Sequence, residues 1–274
     1  MNRIFKTVLP ASILAFSAFS KSVFALPNNQ FYTGFNAGVG NQSLQYSNYD
    51  NLIGTTTFPA NTTINYTKPL NSTVSAPVFV GGLLLGYSQS LGKKYNLEYE
   101  LSAKSNVGST SVTDQMQSPF TYSTVALQEY TAQTTIKFPY VFDFALKPTI
   151  ALTKKLAGYF KAGPSYAQMN TTLNFTHNNA LLNEVFSVTN GNHHPNAWGY
   201  VVGTGLEWAI TKKTSFFSEF NFHQYAATDL KNVTVIDNGS ANGQAGVTYT
   251  HTIYYYRRVL PYLSSFNIGI HYYF

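Results

Sequence analysis

Apolar and polar side chains alternate with a period of two along most of the chain beyond residue 30. At the C-terminal end Phe266, Ile268, Ile270, Tyr272 and Phe274 interleave with Ser265, Asn267, Gly269 and His271. Successive side chains of a strand point to opposite faces, so this pattern predicts a strand with one greasy and one polar side. The same signature recurs upstream. Phe31, Phe35, Ala37 and Val39 oppose Asn36, Gly38 and Gly40, and Phe79, Leu83, Leu85 and Tyr87 mark one face of 77–91. Tyr95, Leu97, Tyr99 and Leu101 oppose Asn96, Glu98, Glu100 and Lys104, and every even residue from Phe138 to Leu152 is apolar or proline. Phe160, Ala162 and Tyr166 then oppose Lys161 and Ser165, and Trp198, Tyr200, Val202, Leu206 and Trp208 oppose glycines and Glu207. Finally Phe216, Phe220 and Phe222 oppose Glu219, Asn221 and His223. Together these segments predict eight strands.

Spacing organises them. The lysine pairs Lys93-Lys94, Lys154-Lys155 and Lys212-Lys213 begin 61 and 58 residues apart, and Phe274 follows Lys212 by 62. This divides the chain into four units of a strand, a long loop and a strand, joined by three short turns. Segments 47–76, 108–123, 170–196 and 228–261 are rich in Asn, Thr, Ser and Gly and predict four long exposed loops. Alternation within 124–137 predicts an extended fourth strand or an added hairpin, which would bring the count to ten.

So aromatic a face exposed to water would aggregate, so it predicts contact with lipid and a polar, glycine-rich interior. Composition agrees: 21 Tyr and 21 Phe accompany only 10% charged residues. At the N-terminus Arg3 and Lys6 precede an apolar run from Val8 to Phe19 and a small residue at Ala25. That layout predicts a cleaved signal peptide over 1–25 and a single barrel domain over 26–274. The leader removes three of the 17 basic residues and no acids, leaving 14 against 11, a charge of +3 that gives no reason to expect nucleic acid. With no cysteine there are neither disulfides nor thiolate metal sites.

The chain resembles the OmpA-like and opacity-protein-like surface antigens, small outer-membrane β-barrels of Gram-negative bacteria. The last strand of that family carries an assembly signal, here matched by Asn267, Gly269, Tyr272 and Phe274. The resemblance spans the mature chain as a pattern, but only these last residues match a specific motif. It implies an all-β, antiparallel, up-and-down transmembrane barrel of eight strands, with long extracellular loops, short periplasmic turns and no following peptidoglycan-binding domain. It also implies outer-membrane lipid and lipopolysaccharide as surroundings and the β-barrel assembly machinery as a partner during insertion.

Facing places Glu98, Glu100, Lys104, Asp143, Lys147, Lys161, Glu207 and Glu219 inside the barrel. An eight-stranded interior is just wide enough to be filled by side chains, so a network of paired charges is expected, with a narrow ion path as the alternative. The six histidines show no metal-ligand spacing, and no His-x-Ser pairing signals a lipid A-modifying enzyme, so neither cofactor nor catalysis is expected. Arg257 and Arg258 stand before the last strand, at or above the outer interface, where they form either a solvated basic loop stem or a site whose bidentate bonds would reach lipopolysaccharide phosphates. The leading expectation is a structural, adhesin-like surface protein whose loops meet host or cell-surface ligands. A small-solute channel is the second reading and a lipid-modifying enzyme the third.

Overall fold

The computed structural model describes residues 29–56, 62–117, 128–179, 184–193, 196–240 and 248–274. The leader expected over 1–25 lies outside them. The strands are β1 (Gln30–Thr56), β2 (Thr62–Ser90), β3 (Tyr95–Val107), β4 (Thr110–Gln117), β5 (Gln128–Ala151) and β6 (Leu156–Asn179). They continue with β7 (Glu184–His193), β8 (Asn196–Ala209), β9 (Thr214–Tyr225), β10 (Thr228–Ser240) and β11 (Thr248–Tyr273). Eight of them pair antiparallel in the ring β1-β2-β3-β5-β6-β8-β9-β11, and β11 returns to β1. The ring closes at eight strands.

Alternation sorts the two faces. Phe79, Leu83, Trp198, Phe266 and Tyr272 stand exposed on the outside, whereas Glu98, Lys147, Lys161 and Asn267 are fully buried within. On β8 the large outward residues begin at Trp198 and end at Trp208, ten residues apart. At ~3.3 Å per residue and a strand tilt of about 40° that is roughly 25 Å of height, the apolar thickness of an outer-membrane barrel. Above Val39 and Phe79 the outward positions turn polar, with Ser43 and Ser75 sharing a 2.7 Å hydrogen bond across β1 and β2. The fold is a transmembrane β-barrel.

The four polar segments expected as loops are largely paired strand. β4, β7 and β10 continue the lines of β3, β8 and β9 after short breaks, and β1, β2, β5, β6 and β11 run on without one. Two four-stranded sheets therefore rise from one rim, β2-β1-β11-β10 and β4-β5-β6-β7. Among the described residues no ladder joins β2 to β4 or β7 to β10. Thr, Val, Ile and Tyr favour extended backbone whatever the polarity of the faces, and abundant Asn and Ser had masked that preference.

A second difference lies in β5. The register shifts between Lys137 and Tyr140, around Pro139, which has no amide hydrogen for the ladder. Phe138 is thereby turned into the interior with Ile136 and Val141, against its expected lipid-facing placement, while Tyr140 and Phe142 remain outside.

The opposite rim carries the lysine turns. Gly92, at φ +143°, takes a left-handed conformation that L side chains rarely adopt. The other two turns use threonine: Thr153 Oγ1 accepts from the amides of Lys155 (3.2 Å) and Leu156 (3.0 Å), and Thr211 Oγ1 from that of Lys213 (3.1 Å). Each hydroxyl closes its turn locally and leaves Lys154, Lys212 and Lys213 in solvent.

Candidate functional site

The candidate site is the lumen, and it has two layers. In the layer toward the lysine turns all eight charged residues named from the sequence are buried. Facing pairs supply part of the geometry, since Glu98 lies opposite Lys147, and Ser102 opposite Asp143, on β3 and β5. Lys147 Nζ stands 3.0 Å from Glu98, 3.4 Å from Glu207 and 3.9 Å from Glu100. Lys161 continues the chain, 2.7 Å from Glu100 and 3.5 Å from Glu219. Lys104 pairs with Asp143 at 2.8 Å, and this carboxylate also accepts from Ser102 (3.0 Å) and Ser165 (2.7 Å). Each lysine thus touches at least one carboxylate, as burial of charge demands.

Several members were not foreseen. Tyr32 donates to Glu100 (3.1 Å), Tyr159 to Glu219 (3.2 Å), and both Tyr273 and Ser215 to Glu207. Glycines admit two of these rings: a side chain at Gly86 would run into Tyr32, and one at Gly205 into Tyr159. Lys147 Nζ also sits 4.1 Å from the Tyr159 ring centroid, a cation–π contact. His223 Nε2 lies 3.2 Å from Asp143, and His271 Nδ1 lies 3.2 Å from Glu207. In sequence these histidines looked scattered, because their partners are 80 and 64 residues away. The available signal was their inward parity on β9 and β11.

Ser215 and His271 both address the Glu207 carboxylate. Among the described residues no group of His, Asp and Glu is arranged to hold a metal ion.

Toward the two sheets the lumen becomes apolar. Leu44, Tyr46, Val78, Val112, Ile136, Phe138, Met169, Tyr225 and Leu263 belong to one buried cluster. Phe138 stacks on Tyr225 with centroids 5.7 Å apart, and the Tyr225 hydroxyl meets Ser165 at 3.3 Å. Tyr225 thus connects the apolar layer to the Asp143 group.

The residues matched to the assembly signal divide between the faces. Asn267 is buried and donates to Ser265 (3.0 Å), and Gly269 lies against Phe217, where a side chain would clash. Tyr272 and Phe274 are exposed outside, and the Phe274 ring stacks on Phe31 at 6.5 Å. Arg258 is exposed on β11 with Nε 3.7 Å from Asp229, whereas the Arg257 side chain lies outside the described residues.

No known family profile matches the chain. An uncharacterized protein of Coxiella burnetii (strain RSA 493 / Nine Mile phase I) is 24% identical over 186 residues, 64% of this chain. The match spans 66% of that relative, just under two thirds of its length. Among solved structures, the attachment invasion locus protein Ail of Yersinia pestis aligns at 10% identity over 86% of this chain and 99% of its own, with a TM-score of 0.28. Neisserial surface protein A aligns at 9% over 89% and 97%, with a TM-score of 0.34. The outer membrane protease OmpT of Escherichia coli aligns at 9% over 88% and 97%, with a TM-score of 0.31. At such scores the likeness adds nothing to the argument; the closed ladder and its apolar belt define the barrel.

Proposed function

We propose that this chain is a surface protein of a bacterial outer membrane, in which a filled barrel anchors two projecting sheets that make the external contacts. The observation carrying this reading is the contrast between lumen and rim. The interior is occupied by an ionic layer and an apolar layer, while the longest strands of the molecule extend past one rim. β2 has 29 residues, roughly 95 Å of strand, whereas about 33 Å crosses the belt. Such hairpins offer side chains for specificity and, along β2, β4, β7 and β10, sheet edges for main-chain contact. Arg258, exposed on the outward face, adds a donor for lipopolysaccharide phosphate. The assembly machinery would read the exposed Tyr272 and Phe274.

The native chain has no cysteine, so single substitutions report sidedness without background. Ser111→Cys on β4 should react with a membrane-impermeant maleimide on intact cells, and Lys93→Cys only after the outer membrane is opened. The reverse pattern would invert the topology and end the surface reading.

A further inference from the structure

The outer wall carries a recess of about 820 Å³ whose lining is almost wholly apolar. It runs across the strands as a furrow between two rows of outward side chains. One ridge follows the ladder from Leu83 to Ala103, Phe142, Tyr166 and Trp198. The other includes Leu101 and Phe144, and the floor is the wall at Ser102 and Asp143, whose side chains turn into the lumen. Ala103 is the small residue in a ridge otherwise built of large ones. At the far end Phe142, Tyr166 and Trp198 form an aromatic run, with centroids 6.3 and 5.0 Å apart.

The dimensions fit one hydrocarbon chain. From Thr33 on β1 to Trp198 on β8 the furrow crosses six strands, about 24 Å at ~4.8 Å per strand. Strands tilted about 40° from the membrane normal incline the furrow equally to the membrane plane, so it rises roughly 15 Å, half of a ~30 Å hydrocarbon core. Its upper end lies toward the projecting sheets. Lys137 is exposed on β5, five residues or about 16 Å along that strand from Phe142 toward the sheets, where the outward positions have become polar. A cation at headgroup height above an apolar furrow matches an anionic lipid, and the furrow is continuous with the surface that lipid already covers.

We infer that this furrow is a lipid-binding site, holding one acyl chain of a phosphorylated bilayer lipid from the leaflet on the sheet side, with Lys137 meeting its phosphate. The inference rests on the membrane reading above, and the test separates the two. The chain has two tryptophans, Trp198 at the furrow and Trp208 near the opposite rim. Variants Trp208→Phe and Trp198→Phe leave one reporter each. They are refolded into phosphatidylcholine vesicles containing either brominated phosphatidylglycerol or brominated phosphatidylcholine, and quenching is titrated.

Trp198 should favour the anionic lipid about fivefold, the preference one lysine gives near a charged surface. Lys137→Gln should abolish the preference. Ala103→Phe, which points into lipid and leaves the interior untouched, should fill the furrow and reduce Trp198 quenching to the bulk-lipid level. If Trp208 is quenched while Trp198 shows neither preference nor sensitivity to these substitutions, the furrow is ordinary wall and the inference fails. If neither tryptophan is quenched, the membrane reading fails with it.

Discussion

The two layers of the lumen are built on the same eight strands and are equally buried, yet they are filled by opposite means. Near the lysine turns most large side chains, Phe217 and Leu84 apart, are charged or bond to a charge, and Lys147 serves three carboxylates. Near the sheets the same inward positions hold Phe138, Met169 and Leu263, which need only shape. A buried ion pair contributes little net stability over an apolar pair, but losing one partner is costly. The charged layer therefore discriminates against wrong registers, since a slip of one residue would carry Glu98 and Lys147 into lipid. The apolar layer tolerates rearrangement as long as volume is kept.

Four substitutions test that contrast. Lys147→Ala should have the largest effect, about 5 kcal/mol, because three buried carboxylates lose a shared cation. Lys147→Met restores the stem's volume and should recover little of it. In the apolar layer Phe138→Ala should cost about 3 kcal/mol, and Phe138→Leu should recover most of that. Urea unfolding of the refolded protein, followed by tryptophan fluorescence, reads all four. Recovery by Met at 147 equal to that by Leu at 138 would erase the distinction between the layers. The smallest effect belongs to single hydroxyls. Tyr159→Phe removes a donor to Glu219 and should cost about 2 kcal/mol. Tyr166→Phe, on the outer wall, should stay within about 0.5 kcal/mol. Equal losses at 159 and 166 would mean that the ionic layer does not depend on its tyrosines.

Much of this architecture is visible in the order of residues. Parity alone puts Glu98, Asp143, Lys161 and Glu219 on one side of the wall, because a strand reverses its facing at every step. Parity fails where the backbone inserts a residue, and Pro139 does that, turning Phe138 inward while the sequence still reads as unbroken alternation. The aromatic count also misled. It signals girdles, but Tyr32, Tyr159, Tyr225 and Tyr273 are buried in the lumen, where a phenol offers both apolar area and a donor. Which charge meets which depends on register between strands distant in sequence, and nothing local encodes the 2.7 Å contact of Lys161 with Glu100, 61 residues apart. The rising hairpins were hidden for a different reason. Polar residues on both faces remove the period-two signal even where the chain stays extended.

The seam between β1 and β11 matches 25 positions on each strand, from Tyr32↔Tyr273 to Thr56↔Tyr249. Its partners are separated by up to 241 residues, so it is a late kinetic event. Loop-closure entropy favours forming the intervening hairpins first, and until the seam closes β1 and β11 each present a bare edge. During that interval the growing sheet can capture a neighbouring chain as readily as its own last strand. Whatever shields those edges in transit sets the yield of closed barrels, and the speed with which β11 arrives governs how long the shielding must last.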